Sequence, residues 1–228
     1  MKRIPRSYGV WLGVVMLFGV MPLPAGADMI QNGSFEDSTY SSVDTWLTLQ
    51  AGSTAISGWT VIGTAAATDS IDYIGNYWQA SDGNRSIDLD GRSARGGLEQ
   101  IIATEIGHTY RLTFDVAGNT DGNAFGSGLR TMDVLAIGAS TQSASFGFDC
   151  TGQSHWDMGW MSMEWSFVAD APSTTLRFLS TTTAAPAGYG MTLDNVAIHA
   201  PAPTAALLAL LGLGSSGGLL ARCRRRVA

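Results

Sequence analysis

Residues 72–91, DYIGNYWQASDGNRSIDLDG, constrain the fold most tightly, because they read as two extended segments joined by a tight turn. In the first half Ile71, Tyr73 and Tyr77 share one face, with Asp72, Asn76 and Trp78 on the other, as in a strand. Ser81, Asp82, Gly83 and Asn84 form a turn cluster, since Gly and Asn tolerate the positive φ that turns need. Ile87 and Leu89 then alternate with Ser86, Asp88 and Asp90, the period of a half-buried strand. The clearest repeat of that period is Tyr110, Leu112, Phe114 and Val116 against Arg111, Thr113 and Asp115. Shorter runs recur at 56–61, 96–102, 132–137, 145–148, 165–168, 175–179 and 193–198, with Phe35 and Trp59 expected in the core. No segment between 28 and 200 keeps a helical period with caps. Short strands separated by Gly-rich turns predict an all-β antiparallel sandwich or jelly roll.

Both chain ends are expected to lie outside that domain. Lys2, Arg3 and Arg6, an apolar run over 10–20 and the Ala25-Gly26-Ala27 exit make 1–27 a secretory signal peptide. At the other end 204–221 is apolar or small throughout and is followed by Arg222, Cys223, Arg224, Arg225 and Arg226. A helix over that stretch would reach about 27 Å, near the ~30 Å hydrocarbon core of a bilayer. The arginines would stay cytoplasmic and leave the domain outside.

The domain expected between them, 28–200, carries all 19 acidic residues against six arginines, a net charge of −13. Such a surface repels nucleic acid and suits neutral polymers or divalent cations. Cys150 is the only cysteine in the domain, so an internal disulfide is excluded. Although His155 lies five residues on, Cys150 reads as a small buried residue at a strand end rather than as a nucleophile. The scattered His108, His155 and His199 lack zinc-ligand spacing.

Several stretches carry a family resemblance when taken in order: NGSFE, SGW, DYIGNYWQASDGNRSIDLDG, GGLEQ, YRLTFDVAGN, FDCTG, MGW and LDNV. Together they resemble the choice-of-anchor C family, bacterial secreted proteins related to plant cell-wall proteins. The resemblance implies a single galactose-binding-like jelly-roll β-sandwich. Pro201-Ala202-Pro203, then the apolar span, then arginines resembles a PEP-CTERM sorting tail, with Ala202 where that family has Glu. It implies an exosortase-type processing enzyme as a partner and transient anchoring in the inner membrane. The final address would be the cell envelope or extracellular matrix of a Gram-negative bacterium.

Candidate sites follow from residue chemistry and from that resemblance. Neutral sugars need aromatic faces beside polar groups that orient hydroxyls. The central block places Asn76, Trp78, Asp82 and Asn84 together, and Trp156 lies in a second Gly/Asp-rich stretch. Trp78 is the exposed member expected there, since Tyr77 shares the face of Ile71 and Tyr73. The resemblance implies that Glu36 and Asp194 hold a structural Ca²⁺; the alternative is that Glu36 caps a turn and Asp194 bonds backbone amides. Asp72, Asp88, Asp90 and Glu99 cluster in sequence, but acids on strand faces are usually solvated, so hydrolysis is not expected. The expected function is a non-catalytic module for extracellular polysaccharide. A structural or adhesive matrix protein with protein partners is the alternative, and a glycoside hydrolase a further one.

Overall fold

The computed structural model describes residues 29–63, 69–92 and 94–200. The expected signal peptide (1–27) and the sorting tail with its 204–221 span lie outside the described residues. Twelve strands follow in chain order: β1 (Trp46–Gln50), β2 (Thr60–Gly63), β3 (Ser70–Ile74), β4 (Ser86–Asp88), β5 (Asp90–Gly91) and β6 (Ala94–Ala103). Then come β7 (Thr109–Gly118), β8 (Leu129–Ile137), β9 (Thr141–Asp149), β10 (Met161–Val168), β11 (Ser173–Ser180) and β12 (Met191–His199). A short 3-10 helix, Thr120–Phe125, sits between β7 and β8.

The strands form two sheets, one in the order β1-β3-β4-β12-β7-β10 and one in the order β2-β6-β11-β8-β9, with β5 attached to β6. All pairings among the named strands are antiparallel, so the chain is the all-β sandwich that its period-2 runs predict. In the first sheet Tyr73, Ile87, Leu193 and Val116 pair in one row and are buried against the second sheet. Phe114 on the same face meets Phe178 of β11 edge-on at 5.5 Å. Phe178 packs on Trp59 at 6.1 Å, and Trp59 on Phe35 at 5.3 Å. Each such ring contributes about 1.5–3 kcal/mol by leaving water. This aromatic chain ties the N-terminal segment into the core.

Alternation sends the neighbouring row to the outer face: Thr48, Asp72, Asp88 and Thr192 are paired across β1, β3, β4 and β12. Asp72, Asp88 and Asp90 are nevertheless buried, which corrects the expectation of solvated strand-face acids. For Asp72 and Asp88 the reason is that Tyr77, Trp78, Asn119, Asp121 and residues 187–189 gather over that part of the sheet.

The central block also departs from expectation in its first half. Strand β3 stops at Ile74, and Gly75 N–H donates to Thr45 O at 2.7 Å as the chain turns away. Asn76, Tyr77 and Trp78 therefore lie in a loop, where strand alternation no longer assigns faces. Trp78 is 4% exposed, not the exposed platform expected of it. It lies over the outer face and donates from Nε1 to Ser86 Oγ at 2.9 Å. The second half pairs as expected, with Asp72, Tyr73 and Ile74 opposite Asp88, Ile87 and Ser86.

Candidate functional site

The turn 81–85 is held at both ends by carboxylates. Asp194 Oδ2 accepts from Ser81 N (2.8 Å) and Asp82 N (2.9 Å), while its Oδ1 accepts from Asn195 N (2.7 Å). Glu36 Oε1 accepts from Asn84 N (2.6 Å) and Arg85 N (2.7 Å). Between these anchors Gly83 adopts φ +70°, and a side-chain carbon there would stand 2.4 Å from Glu36 Oε1. Asp115 adds a third grip, accepting from Ser81 Oγ (2.6 Å), Asn195 Nδ2 (3.0 Å) and Ser162 Oγ (2.5 Å). Burial alone would raise the Asp115 carboxyl, but those hydrogen bonds from Ser162, Ser81 and Asn195 hold it below the ordinary value. Glu36 and Asp194 thus take the roles of turn cap and amide acceptor. The groups that bond them are backbone N–H donors, the arrangement expected where the two carboxylates hold backbone rather than a Ca²⁺. Among the described residues no group of three or more His, Cys, Asp and Glu side chains could hold a metal ion.

Against this fixed loop rests a second one. Ser154 and Asp157 exchange backbone bonds at 3.0 and 3.1 Å, forming a tight turn with His155 and Trp156 at its tip. Gln79 clamps that turn: its N–H donates to His155 O (2.8 Å) and its carbonyl accepts from Trp160 Nε1 (2.8 Å). Trp156 is left 78% exposed. It borders an open hollow of about 560 Å³ that Asn76, Gln79, Asn84 and Trp78 also line. Four of the five residues expected for sugar binding, Asn76, Trp78, Asn84 and Trp156, are therefore brought together. Asp82 is not among the lining residues; its backbone serves the anchor at Asp194.

A second hollow of about 240 Å³ opens beside Trp78, where Tyr77, Trp46 and Tyr189 stand near Asp72 and Asp88. Sequence reasoning did not foresee it, because its walls come from β1, the 75–78 turn, the 3-10 helix and the 187–189 loop. Its floor is fixed by the protein. Thr48 Oγ1 donates to Asp72 Oδ1 at 2.6 Å, and Asn119 Nδ2 donates to Asp88 Oδ2 at 2.8 Å. Asp88 Oδ1 accepts from the amides of Asp90 and Gly190, both at 3.0 Å. Asp121 links two walls, accepting from Tyr77 Oη (2.6 Å) and bonding His155 Nε2 (2.9 Å).

The buried acids set a pH dependence. Burial raises Asp72, raises Asp88 well above the usual carboxylate range, lifts Asp90 to about 6 and lifts Asp194 to about 7. Among the described residues neither oxygen of Asp90 has a close hydrogen-bond partner, and Arg95 Nε stands 3.8 Å away. In the window between pH 4 and 7 the folded state thus holds protons that unfolded carboxylates have released, so stability falls as pH rises. The melting temperature is expected to be higher at pH 5 than at pH 8. Asp90→Asn should flatten that slope by recovering about 2–3 kcal/mol at pH 8. A profile that rises toward pH 8, or a slope indifferent to Asp90→Asn, would refute the assignment.

The chain belongs to the family described as Protein of unknown function (DUF642), whose profile matches residues 28–199. It is 35% identical over 175 residues to Halomucin of Haloquadratum walsbyi, covering 75% of this chain but 2% of that far longer protein. Among solved structures it is similar to TmCBM61 in complex with β-1,4-galactotriose, at 13% identity and TM-score 0.43, over 76% of this chain and 99% of that one. It is also similar to the CBM22-1 xylan-binding domain from Paenibacillus barcinonensis Xyn10C, at 19% identity and TM-score 0.43, over 68% of this chain and 92% of that one.

Proposed function

We propose that the mature domain is a non-catalytic module that binds neutral extracellular or cell-surface polysaccharide across the Trp156 hollow. The observation that carries this is one indole, 78% exposed, on a loop clamped at Gln79. An exposed ring offers its face to sugar C–H groups, and here the amides of Asn76, Gln79 and Asn84 lie beside it to orient hydroxyls. Holding both loops in place before binding removes an ordering cost that would otherwise weaken the complex. The residues lining this hollow include no carboxylate, histidine or cysteine, so they can bind a glycan without exchanging protons with it near neutral pH. The reading extends to the address: secretion directed by 1–27, and a tail that holds the protein at the inner membrane until an exosortase-type enzyme cuts it. The released form would then begin at Asp28 by N-terminal sequencing and lack the arginine cluster.

The test is affinity electrophoresis of the exported protein through matrix polysaccharides. Trp156→Ala should lose at least tenfold in retention while keeping the wild-type melting temperature, because the removed ring makes little contact with the core. Unchanged retention would sink the site. A protein that ignores every polysaccharide but retains matrix proteins would replace this reading with an adhesive one.

A further inference from the structure

The Trp156 reading leaves the 240 Å³ hollow unused. We infer that this cleft is a separate site for one neutral sugar ring, either the end residue of a glycan chain or a free monosaccharide. Its volume lies below the ~300–1,000 Å³ typical of sites for larger ligands, so one ring is what it admits. Its walls carry the side chains of Trp46, Tyr77 and Tyr189, and its floor those of Asp72, Asp88 and Asn119. That combination, rings beside acceptors and an amide, matches the apolar face and hydroxyl rim of a sugar.

The parts are held before any ligand arrives. Tyr77 is fixed by Asp121, and its ring packs on His155 at 4.5 Å and on Trp46 at 4.7 Å. Tyr189 packs against Phe125 at 5.1 Å. Asn119 is spread between Asp88 Oδ2, Gly188 O at 3.1 Å and the Asp121 N–H at 3.1 Å. A carboxylate oxygen accepts more than one hydrogen, so Asp72, bonded on Oδ1 by Thr48, retains capacity for a sugar hydroxyl.

Charge sets the class of sugar. Asp72, Asp88 and Asp121 line the cleft beside one guanidinium, Arg92, so the lining grows more negative as the buried acids lose their protons, which disfavours uronic acids and other anionic sugars. A metal is a poorer occupant, because all three groups that hydrogen-bond Asp88 are N–H donors and, among the described residues, no group of three or more His, Cys, Asp and Glu side chains could hold one.

The site is tested by isothermal titration of the exported protein with glucose, galactose, mannose and xylose, with glucuronate and galacturonate, and with the tetrasaccharides of the neutral sugars. At least one neutral monosaccharide should bind with a Kd of roughly 1 mM, a normal strength for one small ring. Asp72→Asn, which keeps side-chain volume and an acceptor for Thr48, should weaken it at least tenfold, as should Tyr189→Ala. Trp156→Ala should leave it unchanged, so this site and the Trp156 face can fail independently. In the Trp156→Ala background, a tetrasaccharide binding as tightly as its monosaccharide indicates a chain-end site, and binding of the monosaccharide alone indicates a free sugar. Three results would overturn the inference: no neutral sugar bound, a uronate bound more tightly, or affinity surviving Asp72→Asn. Should Tyr189→Ala melt early, the Asp72→Asn result decides alone.

Discussion

Arg130→Ala is expected to lower the stability of the domain by about 3–5 kcal/mol, seen as a lower urea midpoint with little change in slope. Arg130 starts in β8, yet its side chain is fully buried. Its Nη1 donates to Ser127 O (2.9 Å) and Leu129 O (3.2 Å), and its Nη2 to Asn119 O (3.0 Å) and Asn123 Oδ1 (3.3 Å). One planar group therefore ties the turn before β8, the N-cap of the 3-10 helix and the middle of that helix to the sandwich. Truncation leaves a large void and strands buried acceptors at about 1–3 kcal/mol each. Against a total of ~5–15 kcal/mol this is a large fraction. Arg130→Lys should recover less than half, since an ammonium on a flexible stem cannot span these acceptors with a planar fork. The same segment supplies Asn119 and Asp121 to the small cleft, so Arg130→Ala should also weaken monosaccharide binding there. An unfolding free energy within about 0.5 kcal/mol of wild type would show that the buried guanidinium stabilises little.

What could be read from the sequence was whatever depends on neighbours along the chain. The alternation in 110–116 gives a strand whose apolar residues are all buried, and Phe35 and Trp59 take core positions. Cys150 is likewise buried, with its thiol raised by burial rather than activated. The limits appear where distant segments converge. β1 was not anticipated, because its five residues WLTLQ are mostly half-buried at a sheet edge and carry a weak pattern. Trp78 looked exposed because period 2 was carried past Ile74, whereas the chain turns there and lays the indole over Ser86. The buried acids could not be foreseen, since the segments that cover Asp72 and Asp88 come from 119–121 and 187–189. Glu36 and Asp194, expected from opposite ends of the domain as Ca²⁺ ligands, converge on one loop. Their common task, holding the 81–85 backbone, depends on a third segment that neither motif contains.

Gly33→Ala is expected to cost about 2–4 kcal/mol, and the reason is the close approach of two motifs from opposite ends of the domain. Val196 N–H donates to Gly33 O at 3.0 Å, joining NGSFE to LDNV. A side-chain carbon on Gly33 would stand 1.9 Å from Val196 O, a backbone atom that cannot turn aside. Neither side has slack. Asn32, Phe35 and Asn195 already hold positive φ values of 55°, 60° and 48°, and the β12–β7 register shifts between Asp194 and Ala197. Asn32 is further fixed by Nδ2 bonds to Asp37 O (2.8 Å) and Ser57 O (3.0 Å), and its carbonyl accepts from Trp59 Nε1 (2.9 Å). Relief of the clash must therefore move β12 or the N-terminal segment, loosening Phe35 from the aromatic chain and Glu36 from its loop. The urea midpoint should fall accordingly, and hydrogen exchange at the Val196 amide should accelerate more than at Val116. Gly147→Ala is the control: its added carbon would meet Leu129 Cδ1 at 3.5 Å, ordinary contact, so it should change stability by less than about 1 kcal/mol. Equal effects from the two substitutions would mean that the Gly33–Val196 approach does not hold the ends of the domain together.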